Sequence, residues 1–308
     1  MSAAISDVWG FILIGCFLSL ILFGIILAQA FTYYQHCEKD GLRLQVFVGI
    51  LVALDAVSTS LAMAWVYGLF IHGWGNAAAL QMDNWLIAAD PMLAGGIACI
   101  VQLFFAWRLH IIGSTRYPEL VTREPPRSSA LAEYVIAKQN WLTAFICICS
   151  FATLLGGIGT GIGVLWVKEY THFLRFEPIA SVWGVSAAVA DFTITVAMTY
   201  HLRRAKGGFE ATDRLLNRVI QLTLQNGLLT SLTAFLNLWL YLFLTKPYDI
   251  SFTFLITKLY SNSVLSSLNA RTYLRPLANI TMNLGERSPV ESRVIDFNQS
   301  SSSDLQRP

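Results

Sequence analysis

Four ionisable side chains interrupt runs of apolar residues that are long enough to cross a membrane. They are the acids Asp55, Asp90 and Asp191 and the base Lys258. A charged group inside a bilayer is costly, so such residues usually face the protein interior, pair with an opposite charge or line a polar cavity. Binding an ion or ligand, relaying a proton and holding helices together are therefore the roles that these residue types can fill.

The stretch around the lysine carries a stripe of polar side chains. At 100° per residue in a helix, Lys258, Ser261, Asn262 and Asn269 fall on one face. Lipid cannot satisfy these groups, so we expect this face to look into a helix bundle or a wet cavity. The competing interpretation is that Lys258 extends its side chain to the outer headgroups.

Depth along the helices divides the four charged residues into two sets. Counted from the outer helix ends at ~1.5 Å per residue, Asp90 is about 7 Å deep and Lys258 about 10 Å deep. Asp191 is about 20 Å deep and Asp55 about 24 Å deep on the same scale. We therefore predict that Lys258 pairs with Asp90 and that Asp55 and Asp191 lie together near the middle.

The sixth apolar run has a polar stripe of its own. Asn226, Thr230, Thr233 and Asn237 follow one another at helical spacing. Two polar stripes on sequential helices most simply face each other through interhelical hydrogen bonds. A ligand- or ion-lined path between the sixth and seventh helices is the alternative.

A glycine-rich segment, GGIGTGIG at 156–163, resembles a phosphate-binding loop on first sight. It lies inside an apolar run, with no preceding strand and no lysine after it, so that interpretation fails. Gly157 with Gly161, and Gly159 with Gly163, have the spacing of small residues that allow a neighbouring helix to approach closely. We predict that these four glycines serve helix packing.

The sequence gives no support to enzymatic or metal chemistry. It contains no GxSxG, HExxH or CxxC motif, and no two of its five histidines are four residues apart. We therefore predict no catalytic residue, no metal site and no cofactor. A retinal protein is disfavoured because its lysine would lie near the middle of the helix, whereas Lys258 lies near the outer end.

The elements that position these residues are membrane helices. Mean hydropathy is +0.55, charged residues make up 13% of the chain and net charge is +2, so nothing points to nucleic acid. We predict an all-α, polytopic membrane protein, a seven-transmembrane-helix bundle within residues 1–275. A disordered polar tail follows over 276–308. The predicted spans are 9–35, 44–71, 85–112, 139–167, 178–202, 217–244 and 251–275.

The distribution of Lys and Arg predicts the orientation. The first, third and fifth loops and the tail carry 17 of these residues, whereas the opposite side carries three. Because basic loops stay in the cytosol, the N-terminus is predicted outside and the C-terminus cytosolic. No cysteine falls in an outer loop, so no extracellular disulfide is expected. Cys37, just inside the membrane, is a candidate lipidation site, with an unmodified thiol as the alternative.

The stretch KLYSNSVLSSLNAR at 258–271 resembles the signature of a basidiomycete fungal family of seven-helix integral membrane proteins. The family is catalogued only as a domain of unknown function, which would cover 187–274, including DFTITVAMTYHL and NGLLTSLTAF. The resemblance implies the fold and no activity, since the family has none established. The family often has His three residues after the acid of the second span, where this chain has Ser58. It often has Pro after Gly-Asn in the second loop, where this chain has Ala77.

Together these features predict a receptor-like or sensor protein, with a transporter or channel-like carrier as the alternative. The bilayer is the predicted environment, with the plasma membrane the favoured compartment. An unidentified small ligand and a cytosolic protein, bound through the basic loops and tail, are the candidate partners.

Overall fold

The computed structural model describes residues 3–73, 85–114, 128–166, 177–204, 210–243 and 248–270. These residues form seven α-helices, which confirms the all-α prediction. They are α1 (Ala3–Gln35), α2 (Leu42–Tyr67), α3 (Trp85–Ser114), α4 (Ser128–Trp166), α5 (Glu177–Arg204), α6 (Glu210–Phe243) and α7 (249–270). A 3-10 turn (Cys37–Lys39) precedes α2, and a π-helical turn (Gly68–His72) extends it. The predicted tail and Ala77 lie outside the described residues.

Five of the helices are long and apolar enough to cross a membrane. Their spans are Val8–Gln35, Leu42–Ile71, Trp85–Ile111, Asn140–Trp166 and Pro178–Arg203. Apolar side chains such as Phe17, Ile21 and Phe31 are more than half exposed on α1, where a soluble protein would place polar groups. The chain is therefore a multi-pass membrane protein whose outer helices contact lipid. The sixth and seventh spans and the orientation stay predictions.

The seventh helix lies inside the bundle. None of the residues 249–270 is exposed, although the helix carries a lysine, two asparagines and several serines. Its first turn meets α1 closely, where the Ser251 hydroxyl donates to the main-chain oxygen of Phe11 at 3.0 Å. Gly15 makes this approach feasible, because a Cβ there would lie 2.6 Å from the Ser251 side chain. Neighbouring helices shield the polarity of α7 from lipid, as its composition requires.

Glycines set the spacing of α3, α4 and α5. A Cβ on Gly157 would lie 2.6 Å from the carbonyl oxygen of Pro91, and one on Gly161 would lie 2.6 Å from that of Ala88. Gly159 faces the other neighbour, where a Cβ would lie 3.0 Å from Ile179 of α5. The segment therefore serves two helix interfaces.

Two apolar clusters divide the interior of the bundle. The first cluster lies at the end where α1 begins, and its buried members include Trp9, Ile12, Trp65 and Phe254. The second cluster extends toward the other end, and its buried members include Ile26, Leu51, Ile97, Val264 and Leu268. In α1, α2, α3 and α7 a short buried polar segment separates the members of one cluster from those of the other. We call its residues the polar layer: Ser19, Asp55, Ser58, Asp90, Thr257 and Lys258.

Candidate functional site

Lys258 is the centre of the polar layer. Its ammonium lies 3.2 Å from the Oδ1 atom of Asp55, and the two side chains are 1% and 0% exposed. The same nitrogen donates to the main-chain oxygen of Asp55 at 3.1 Å and to the Ser58 hydroxyl at 3.3 Å. An ammonium has three donors, so these contacts can satisfy all of them. The Phe23 ring of α1, 5.9 Å away, adds a cation–π contact.

This geometry gives Lys258 a different ion-pair partner from the predicted one, Asp90. Asp90 is buried in the same layer and interacts with the lysine charge at longer range. Counting depth from helix ends assumed that all helices start in one plane. The contact between α2 and α7 shows that these two do not, and a four-methylene side chain adds further reach. Lys258 also does not extend to the headgroups, because it is enclosed.

Charge is unevenly matched within the layer. Among its described residues, Lys258 is the single base beside two acids, Asp55 and Asp90. The hydroxyl of Ser261 faces the Asp55 carboxyl group from α7, and both this hydroxyl and the Oδ2 atom of Asp55 are buried. The lysine can balance one carboxylate, so the layer can accept one further positive charge, such as a proton.

Asp191 of α5 occupies a second, separate polar site. Its Oδ2 atom accepts a hydrogen bond from the Tyr260 hydroxyl at 2.6 Å, and its Oδ1 atom accepts one from the Gln102 amide at 3.0 Å. An oxygen–oxygen distance of 2.6 Å is typical of a bond to an ionised acceptor. The structure thus does not place Asp191 together with Asp55, because each acid is engaged on a different face of α7.

The polar stripes of α6 and α7 also do not face each other as predicted. Asn262 donates to the main-chain oxygen of Leu22 at 3.4 Å, and Asn269 donates to that of Gln29 at 2.8 Å. This stripe of α7 therefore faces α1 and α2. The opposite face of α7 carries Thr253 and Tyr260, and that face meets α6.

Few side chains of the α6 stripe make polar contacts with α7 among the described residues. Asn237 donates to the Thr253 hydroxyl at 3.4 Å, and Thr230 lines a cavity with Tyr260. Thr233 is buried and donates to the main-chain oxygen of Leu229, and Asn226 is half-buried. Only part of the α6 stripe thus makes polar contact with α7 among the described residues.

The remaining predicted residues, Gly163 and Cys37, are not members of the polar layer. Gly163 is buried on α4, near the glycine contacts described above. Cys37 is half-buried and its thiol lies 3.3 Å from the main-chain oxygen of Tyr34, so lipidation of this residue stays a prediction. The described cysteines are all free thiols.

Sequence reasoning missed three polar partners. Gln102 was not considered, although an amide inside an apolar helix is itself a signal of a buried polar contact. Tyr260 lies within the quoted signature, but no role was assigned to it. Arg108 was counted only as a basic residue of the third loop, whereas its guanidinium donates to the Ser267 hydroxyl of α7.

Comparison with known proteins identifies a domain of unknown function and indicates no activity. The model of a family of unknown function, DUF6534, matches residues 187–273. This domain takes in α6 and α7 and most of α5, so it contains Asp191, Tyr260 and Lys258 and lacks their partners Gln102 and Asp55. No curated protein and no solved structure matches the chain. The site must therefore be interpreted from its own geometry.

Proposed function

We propose that the protein is a receptor-like membrane sensor in which the Lys258–Asp55 ion pair holds the resting arrangement of the helices. The observation that carries this proposal is the enclosure of that pair between two apolar clusters. Replacing a buried ion pair by packed apolar residues is often neutral or stabilising, so such a pair is weak support for a purely structural role. Its best-attested use is to select one arrangement over another.

Helix α7 is suited to transmit a change at this pair. It donates to main-chain oxygens of α1 through Asn262 and Asn269, and to Asp191 of α5 through Tyr260. Arg108 of α3 binds it near its other end. A ligand or proton that competes for Asp55 or Lys258 would therefore weaken the hold on α7, which contacts most of the other helices. Interiors of this kind switch between discrete packings, since close packing resists gradual deformation.

The predicted orientation gives this signal a direction, from the outside to the cytosol. With 17 Lys and Arg residues on one side, the N-terminus is outside and the basic loops and tail are cytosolic. The first apolar cluster then lies toward the outside and the second toward the cytosol. A stimulus reaching the polar layer from the outside would be read by a cytosolic protein at the basic loops.

A carrier is the second candidate, supported by the polar contacts between α6 and α7. Thr253 with Asn237, and Tyr260 with Thr230, place polar groups at two levels of this interface. A carrier needs such groups to form a path when the bundle opens. The buried apolar residues on both sides of the polar layer favour the sensor, because a path would have to pass them.

Ion flux through reconstituted protein separates the two candidates. Wild-type protein and the Asp55→Asn and Lys258→Met variants would be placed in liposomes containing a pH-sensitive dye, and proton flux would be followed under an imposed potential. The sensor predicts flux no higher than that of protein-free liposomes for all three samples. Wild-type flux that either substitution abolishes would favour the carrier.

A further inference from the structure

A small cavity lies between α3, α5, α6 and α7, apart from the Lys258–Asp55 pair. Its volume is about 30 Å³, enough for one water molecule or a small dehydrated cation. Apolar side chains of Val101, Phe105 and Ile194 form part of its wall. Six described side chains form its polar lining: Gln102, Asp191, Thr195, Thr230, Tyr260 and Ser263.

The lining is rich in acceptor oxygens. The Oε1 atom of Gln102 is buried without a hydrogen-bond partner, and its side chain is 1% exposed. The hydroxyl of Thr195 donates to the main-chain oxygen of Asp191 at 2.7 Å, and that of Thr230 donates to the main-chain oxygen of Gly227 at 3.1 Å. With their hydrogens engaged there, both hydroxyl oxygens have only lone pairs left for the cavity.

The charges around the cavity also favour a positively charged ligand. Asp191 is 5% exposed and accepts hydrogen bonds from Tyr260 and Gln102, both of which are neutral donors. Among the described residues, no basic side chain forms an ion pair with Asp191. An ionised carboxylate at this depth in a membrane requires compensation by a positive charge.

From this cavity we propose that Asp191, Gln102, Thr195 and Thr230 form a binding site for a dehydrated alkali cation such as Na⁺. A site made of oxygen atoms suits hard cations, and the described residues of its lining offer no histidine or cysteine ligand for a transition metal. One carboxylate balances one positive charge, so a divalent ion would leave a buried excess. The small volume admits a dehydrated alkali cation and excludes a bulky organic one such as N-methyl-D-glucamine.

Binding would stabilise the folded protein, which gives a direct test. The melting temperature of the purified protein would be measured in detergent while Na⁺ replaces N-methyl-D-glucamine at constant ionic strength and pH. We expect the melting temperature to rise with Na⁺ concentration and to saturate, and to rise also when K⁺ replaces N-methyl-D-glucamine. Equal melting temperatures in all three cations would overturn the proposal, as would stability that depends on pH alone.

Substitutions of the lining residues test whether the rise in melting temperature comes from this cavity. Asp191→Asn should abolish the rise, and Thr195→Val should reduce it. Thr193→Val is the matched control, because Thr193 makes the same kind of bond to the main-chain oxygen of Val189, at 2.7 Å, but does not line the cavity. If Asp191→Asn does not fold, the pair of threonine variants still decides the matter. An unchanged Na⁺ response in Thr195→Val and in Gln102→Leu would contradict the assignment of the site.

Discussion

The ammonium of Lys258 on α7 lies 3.2 Å from the carboxylate of Asp55 on α2, with both side chains enclosed by protein. The two residues are 203 positions apart in sequence, and the pair joins α2 to α7. Each partner makes the burial of the other tolerable, because removing either one leaves a buried charge without its nearest opposite charge.

A double-mutant cycle tests the coupling between these two residues. Lys258→Met and Asp55→Asn should each lower the free energy of unfolding by about 3–5 kcal/mol, since each leaves a buried charge without its nearest opposite charge. The double variant should recover part of the loss, as measured by denaturation in detergent. Asp90→Asn is the control, because it leaves the pair intact and should not couple to Lys258→Met to the same extent. Strict additivity of the Lys258 and Asp55 changes would refute the pairing.

The hydroxyl of Tyr260 gives a second prediction. Tyr260→Phe removes the donor to Asp191 and should destabilise the protein by about 1.5–3 kcal/mol, the range for a hydrogen bond to a charged group. The matched control is Tyr34→Phe, which removes an exposed tyrosine bond to the main-chain oxygen of Gln45. We expect the control to change the melting temperature little. Equal effects of the two changes would show that the Asp191 contact has no special strength.

The interface between α3 and α4 gives a third prediction. Gly157→Ala would put a Cβ within 2.6 Å of the Pro91 carbonyl oxygen and should destabilise the protein by about 1–3 kcal/mol through overpacking. Gly96→Ala is the control, because nothing lies within 4 Å of a Cβ at that position. It should be neutral or slightly stabilising, since alanine has the higher helix propensity. Thermal denaturation of both variants in one detergent would reveal the difference.

Topology can be tested in the tail. Asn279-Ile-Thr281 and Asn298-Gln-Ser300 are glycosylation sequons. With a cytosolic tail, neither asparagine meets the lumenal transferase, so the expressed protein should show no mobility shift after endoglycosidase treatment. A shift that Asn279→Gln or Asn298→Gln abolishes would reverse the predicted orientation.

The ranges of the helices could be predicted from the sequence, whereas the contacts between the helices could not. Long apolar runs interrupted by polar loops predicted the start of α3 at Trp85 and the end of α1 at Gln35. Helical periodicity also placed Lys258 and Asn262 on one face. It could not say which helix that face meets, because contacts between distant segments depend on tilt and on the relative height of the helices.

For Asp55 and Asp191, too, the sequence predicted burial but not the partners. Sequence spacing marked Asp55 and Asp191 as buried charges, and both are buried. Their partners Lys258, Tyr260 and Gln102 belong to helices that come together only in the folded bundle. Equal depth was an insufficient guide, because α2 and α7 are offset along their length.

The conformational role of the Lys258–Asp55 pair is the central claim, and a distance measurement across α7 tests it most directly. Spin labels would be attached to cysteines replacing the exposed residues Phe31 on α1 and Tyr200 on α5, after substitution of the native cysteines. Double electron–electron resonance then gives the distribution of distances between the labels. The wild type should give one narrow distribution, and Asp55→Asn should add a second population. Asp90→Asn, the same chemical change in the same layer, should preserve the wild-type distribution. An unaltered distribution in Asp55→Asn would contradict the claim and leave the pair with a structural role alone.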